Sequence, residues 1–197
     1  MIYVVPSLKA KEKLQCEGKA WAESQGFAYV PRGKRTIQDL MDEYGEDFLV
    51  YSSRGPQIDR PEGSHFFSLN MAELRIQNLR KGQRDHLLEA LMGVKEYDLR
   101  PAAAQPPISV LDCTCGFGAD AAVASFGLPA GSRVDALEVS PLLEAVTAWG
   151  FSHFVHKKDD VTAALRRISL RCGDYRDYLL SDEGPVYDIL YFDPMFQ

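Results

Sequence analysis

Apolar and polar positions along the chain switch between two periods, and the switches mark out its elements. Residues 2–5 (Ile-Tyr-Val-Val) are an apolar run ended by Pro6, which predicts a strand. Residues 8–25 set Leu14, Trp21 and Ala22 as one apolar side among Lys, Glu and Ala, which predicts a helix closed by Gly26. Phe27 to Val30 is again strand-like. Thr36 and Asp39 form a capping pair ahead of Ile37, Leu40, Met41 and Tyr44, whose spacing is one helical face, and Gly45 ends it. Residues 47–52 predict a third strand, 54–63 with two prolines a turn-rich excursion, and 65–69 a fourth strand. Residues 1–69 are therefore expected to form a small N-terminal α/β subdomain, and no internal repeat is present.

Residues 70–92 predict two helical stretches hinged near Gly82, with Leu74, Leu79, Leu87, Leu88 and Leu91 as core candidates. These connecting helices occupy the span 70–100, and three prolines with three alanines between 95 and 107 read as a linker. From Ile108 the pattern changes. A short apolar run stops at Asp112, crosses a small-residue turn with Gly116 and Gly118, and enters a helix over 121–126 that Gly127 and Pro129 end. A strand over 133–138 ends in Glu138, Ser140 caps a helix over 141–149, and residues 161–167 are helical. Residues 168–171 form a third strand with Asp174 just past its end, and 187–192 a fourth, apolar strand running into Asp193-Pro194-Met195-Phe196. Strand and helix alternate, which predicts a doubly wound, mostly parallel sheet over 101–197 with its ligand beyond the carboxyl ends of the strands.

Charge sharpens this picture. Residues 1–100 carry 15 basic and 15 acidic side chains, residues 101–197 carry 7 and 13, so the whole net charge of −6 lies in the half with the glycine turn. That argues against non-specific wrapping of nucleic acid and suits either a cationic small ligand or a solvated acidic surface. Against it stands one basic cluster, Arg75, Arg80, Lys81, Arg84 and His86, read either as a solvated helix face or as a contact for substrate phosphates. Cys16, Cys113, Cys115 and Cys172 show neither a CxxC pair nor zinc-finger spacing, so no disulfide framework or metal site is suggested. Cys113 and Cys115 are expected to be packed thiols rather than redox groups. The apolar run at the start is too short for a signal peptide and no stretch approaches a membrane span, so a soluble cytoplasmic protein is expected.

Four polar signals fall at four successive strand ends: Asp112 with its glycine turn, Glu138, Asp174 and the Asp193 tetrapeptide. Gly116-Phe-Gly118-Ala-Asp-Ala121 fits the dinucleotide pattern GxGxxA, and Glu138 lies where an acid takes ribose hydroxyls. A nicotinamide or flavin enzyme is therefore one reading. The other follows from Asp112: a carboxylate at the strand end disfavours pyrophosphate and suits the ammonium or sulfonium region of S-adenosylmethionine.

The stretch from Val110 to Asp120, VLDCTCGFGAD, with Asp193-Pro-Met-Phe196, resembles the class I S-adenosylmethionine-dependent methyltransferases, and DPMF is similar to the (D/N)PP(Y/F) motif of enzymes that methylate exocyclic amines. The Met in its third position and the Asp, Thr and two glycines of the first motif are similar to the ribosomal RNA small-subunit guanine-N2 methyltransferase family of the RsmJ type. The likeness covers residues 65–197, including HFFSLNMAELRIQNLRKGQRD, and an uncharacterised bacterial branch of that family is the nearer match. The resemblance implies a Rossmann-like fold with S-adenosyl-L-methionine as cofactor. It places Asp112, Thr114, Gly116, Phe117 and Gly118 at the methionine side, Glu138 at the ribose, and Asp174 with Tyr175 at the adenine. It assigns Asp193, Pro194 and Phe196 to the methyl acceptor; Arg75, Arg80, Lys81 and Arg84 of the basic cluster are the candidate substrate contacts.

The residues themselves leave plainer readings open: Asp193 as a strand-end cap, Phe196 as core, Asp174 as a helix cap, Glu138 as a surface acid. The implied partner is RNA, ribosomal RNA or the small ribosomal subunit, with no membrane role and an unspecified oligomeric state. A fold of this class has further strands after the fourth, so the chain is expected to continue beyond Gln197 or to be covered by another subunit.

Overall fold

The computed structural model describes residues 1–93, 105–181 and 184–193. The linker expected over 95–107 falls mostly outside them, as do Pro194 and Phe196. The chain divides into two compact units, Met1–Phe67 with Ala145–Gly150, and Ser68–Glu144 with Phe151–Gln197.

The first unit is a five-stranded sheet in the order β2-β1-β3-β4-β5. Its strands are β1 (Tyr3–Pro6), β2 (Ala28–Tyr29), β3 (Phe48–Ser52), β4 (Gly55–Arg60) and β5 (Gly63–Phe66). β2 and β3 run parallel to β1, while β4 and β5 return antiparallel. The excursion expected over 54–63 is corrected here, because Gly55–Arg60 is a strand. Pro56 opposes Tyr51 at the hairpin mouth, and Gly55 adopts φ 88°, which starts the return strand at once. Helix α2 (Ile37–Tyr44) starts from a capping box in which Thr36 and Asp39 exchange side-chain-to-backbone bonds. Its Leu40 joins Val5, Phe48 and Val50 in a fully buried cluster. Helix α1 (Glu12–Ser24) lays Gly18 against the Tyr51 ring, where an added Cβ would sit 3.0 Å from the ring carbons.

The second unit holds the predicted parallel sheet. Its strands are β6 (Ser109–Asp112), β7 (Arg133–Glu138), β8 (Ser169–Cys172) and β9 (Ile189–Tyr191), in the order β8-β7-β6-β9. All three pairings are parallel. Chain order reverses between β6 and β9, and a crevice opens at such a switch point. The helices are α3 (Asn70–Arg80), α4 (His86–Leu91), α5 (Ala119–Gly127), α6 (Pro141–His153), α7 (Asp159–Arg166) and α8 (Tyr175–Leu180). The middle of α6 belongs to the first unit, where Trp149 lies on Gly55 and Phe67 on Gly150. Residues 121–125 of α5 are buried without a break, as expected of a helix covered on all sides.

Two expectations for this unit are corrected. Leu74 is exposed, and α3 instead buries Ala72 and Ile76, because its apolar stripe runs out of phase with that leucine. The strand expected over 187–192 is Ile189–Tyr191 alone. Asp188 closes its start: its carboxylate accepts bonds from both the N–H and the hydroxyl of Ser109, at 2.7 Å each, which fixes the register of β9 against β6. Among the described residues β9 is an edge of the sheet, with Leu190 and Phe192 both 42% exposed. No helix among the described residues is long and apolar enough to cross a membrane.

Candidate active site

The turn after β6 is stitched to both neighbouring strands. Cys113 N–H donates to the Tyr191 carbonyl and Cys115 N–H to the Leu137 carbonyl, each at 2.9 Å. Between these anchors and α5 the chain reverses through Gly116 (φ 57°) and Gly118 (φ 75°), a left-handed conformation that costs a side-chain-bearing residue about 1–2 kcal/mol. Gly116 N–H donates to Glu138 Oε2 at 2.9 Å, and Ser140 N–H to Oε1 at 2.8 Å. Glu138 is therefore buried and holds two loops, so the surface-acid reading does not describe it.

A cavity of about 620 Å³ opens at these strand ends. Asp112, Thr114, Gly116, Phe117, Glu138, Asp174, Tyr175 and Asp193 all line it, so the topology gathers the sequence-identified strand ends into one site. Gly118, which is not among the lining residues, is the cap of α5. Thr114 joins the two halves of this arrangement: its Oγ1 accepts the Asp193 N–H at 2.8 Å, tying the glycine turn to the end of β9. Tyr175 meets Phe192 edge-on, 5.0 Å between ring centres. Asp174 does cap α8, accepting the Arg176 N–H at 2.8 Å, and pairs with the Arg176 guanidinium, which holds its carboxyl below the usual range. The cap reading thus holds alongside its place in the cavity.

Five carboxyl groups, those of Asp112, Asp120, Glu138, Asp174 and Asp193, line the cavity against the guanidinium of Arg176. Asp112 is 3% exposed, and burial, with Asp120, Asp193 and Glu138 nearby, pushes its carboxyl up to about 7. Several carboxyl groups line one cavity, an arrangement that repels a pyrophosphate and stabilises a bound cation. The same burial pushes the Cys113 thiol up to about 11 and raises that of Cys115 well above its usual value, so both are packed thiols at neutral pH rather than nucleophiles.

Sequence reasoning missed the support behind this site. The Arg75 fork grips Asp85 at 2.8 and 2.9 Å and also reaches Asp120, whose other oxygen accepts the Tyr191 hydroxyl at 2.8 Å. Asp85 in turn caps α4. Arg80 pairs with Asp160 and Arg84 with Glu89. The basic cluster is thus largely paired with carboxylates, and Arg75 is held by two of them, Asp85 and Asp120. We expect Arg75→Ala to strand two partly buried carboxylates at a cost of about 2 kcal/mol. That lowers the melting temperature of a chain of this size by roughly 4–8 °C, with Arg75→Lys recovering only part because an ammonium cannot bind bidentately. An unchanged melting temperature would remove the network from the support of the site.

The parallel sheet, its switch point and the strand-end cavity define a Rossmann-like methyltransferase fold. A solved S-adenosylmethionine-dependent methyltransferase from Neisseria gonorrhoeae shares it, with a TM-score of 0.62 over 98% of this chain and 70% of that one, at 16% identity. The Bacillus subtilis protein YpiP, uncharacterized, is 26% identical over 194 residues, covering 98% of this chain and 71% of its own. Ribosomal RNA small subunit methyltransferase J from Dechloromonas aromatica is 28% identical over 158 residues, 80% of this chain and 58% of that protein. The namesake from Thioalkalivibrio sulfidiphilus is 32% identical over 114 residues, 57% of this chain and 40% of that protein. This chain thus spans about half the length of those two relatives. The family model described as "Putative SAM-dependent methyltransferase" matches residues 70–197, and the chain belongs to that family of enzymes, whose cofactor is S-adenosylmethionine. The cavity fits that cofactor: it is of nucleoside size, and its carboxylates suit a ligand carrying an ammonium and a sulfonium.

Proposed function

We propose that this chain carries the catalytic region of a cytoplasmic N-methyltransferase acting on the exocyclic amine of a guanine in small-subunit ribosomal RNA. The observation that carries this reading is the position of Asp193, which lines the Asp112 cavity with its N–H on Thr114. The names of the methyltransferase J relatives support the RNA substrate.

Asp112, the glycine turn, Glu138 and Asp174 would hold S-adenosylmethionine, which supplies an electrophilic methyl group. The remaining work falls to the chain. An exocyclic amine is a poor nucleophile because its lone pair is delocalised into the ring. Asp193, with the carbonyl of Pro194 next in sequence, accepts the amine protons, favours a pyramidal nitrogen and aims its lone pair at the cavity. Phe196 stacks on the base, a contact worth about 1–3 kcal/mol for an unstacked nucleotide. Arg80, Lys81 and Arg84 are the proposed phosphate contacts of α3 and its following turn, with Arg80 and Arg84 exchanging Asp160 and Glu89 for phosphate.

Comparison of modified nucleosides from small-subunit ribosomal RNA of a strain lacking the gene and of its parent tests this reading. The expected result is loss of one N2-methylguanosine. Identical nucleoside profiles would overturn the assignment of the acceptor while leaving the cofactor site intact.

A further inference from the structure

The first unit has a cavity of its own, of about 600 Å³, at the carboxyl ends of its parallel strands β1 and β3. Its chemistry is opposite to that of the cofactor site. Lys9, Lys11 and Lys13 line it together with Ser7 after β1 and Ser52 and Ser53 at the end of β3. The acid that lines it, Glu17, is drawn to Lys13 at 3.8 Å, which leaves the cavity cationic in a chain of net charge −6. Leu14, Gly55 and two aromatic side chains, buried Tyr51 and half-buried Trp149, complete the lining. The Trp149 ring packs closely on the Gly55 backbone, since a Cβ there would fall 2.5 Å from its carbons. Ammonium groups and hydroxyls around an aromatic surface form the pattern that grips single-stranded nucleic acid, with phosphates on the cations and a base on the ring.

We propose that this cavity is a second contact for single-stranded RNA, with phosphates at Lys9, Lys11 and Lys13 and a base against Trp149. It rests on RNA being the methyl acceptor, and it gives the small unit a role in holding substrate that flanks the target nucleotide. Duplex RNA, whose bases are stacked away, fits it poorly.

The test is binding of a fluorescently labelled 12-nucleotide single-stranded RNA to the full chain, by anisotropy over a range of salt, for the wild type and for Lys9→Ala/Lys11→Ala/Lys13→Ala. Each phosphate contact on a single strand contributes about 0.7 to the slope of log K against log salt. The triple variant is therefore expected to lose about 2 from that slope and roughly 100-fold in affinity at ~0.1 M salt. Calorimetry with S-adenosylhomocysteine should be unaltered by these surface changes. Trp149→Phe, which keeps a ring in place, is expected to weaken binding several-fold without altering the slope. An unchanged slope and affinity in the triple variant, with wild-type RNA binding intact, overturns the cavity proposal alone. Equal affinity of the wild type for duplex RNA of the same length also overturns it. Absence of RNA binding by the wild type overturns the RNA reading and this proposal together.

Discussion

Asp193→Ala is expected to leave S-adenosylhomocysteine binding within about twofold of wild type and to lower methyl transfer by the enzyme at least ~100-fold. The separation follows from geometry. Asp193 lines the cavity, but the bond that ties this position to the glycine turn runs from its backbone N–H to Thr114 Oγ1, and alanine keeps it. On the proposed reading, what alanine removes is the acceptor for the amine protons as the nitrogen becomes pyramidal. Deleting one such preorganised group costs about 10²–10³ in turnover. Loss in kcat with KM nearly unchanged would mark an interaction made in the transition state. Radiolabelled methyl transfer to small-subunit ribosomal RNA, read alongside calorimetry, makes the measurement. Turnover equal to wild type would take Asp193 out of the reaction.

How much of the fold and site is legible in the sequence depends on the distance over which each signal acts. Strand ends are written locally: an apolar run stopping at Asp112 or at Glu138 declares both the strand and the group it delivers, and the parallel topology then brings those groups together. The capping box at Thr36 and Asp39 is equally local. The Arg75 network is not. Its partners lie 10, 45 and, through Asp120, a further 71 residues away, so it exists only once α3, α5 and β9 are packed, and no periodicity records it. Asp120 ends the VLDCTCGFGAD stretch, in the first turn of α5, and that placement was the available signal. Strand β4 was hidden for a different reason. Proline and glycine usually break strands, and here both sit at the mouth of a hairpin, where a missing N–H and a positive φ are tolerated. Val139, Leu143 and Arg176 line the strand-end cavity as well, and only the assembled fold identifies them.

Asp112→Asn should make the ligand-free protein more stable and the cofactor site worse. Burial raises the folded pKa of Asp112 to about 7, against about 3.9 in an unfolded chain. For a raised carboxyl, the folded state is favoured in full below the unfolded pKa, and that contribution is lost as pH rises through about 7. At a pH of about 8 the wild type therefore bears the whole cost of an ionised, buried Asp112, which asparagine avoids while still accepting the Thr114 N–H. At about 1.4 kcal/mol per pKa unit the gain is at most a few kcal/mol, and roughly 5 °C in melting temperature is expected at pH ~8, shrinking towards pH ~4. The same carboxylate is what a bound cation needs. Asparagine is expected to weaken S-adenosylmethionine roughly 10–100-fold at pH ~8, the loss of one charge-assisted interaction. In the wild type, affinity should fall as pH drops below about 7, because binding then requires Asp112 to release its proton; in the variant this dependence should flatten. Comparing S-adenosylmethionine with S-adenosylhomocysteine locates the charge: a larger loss for the former places Asp112 at the sulfonium, an equal loss at the ammonium. A variant that binds both ligands like the wild type, with an unshifted melting curve at pH ~8, would show that Asp112 only ends a strand.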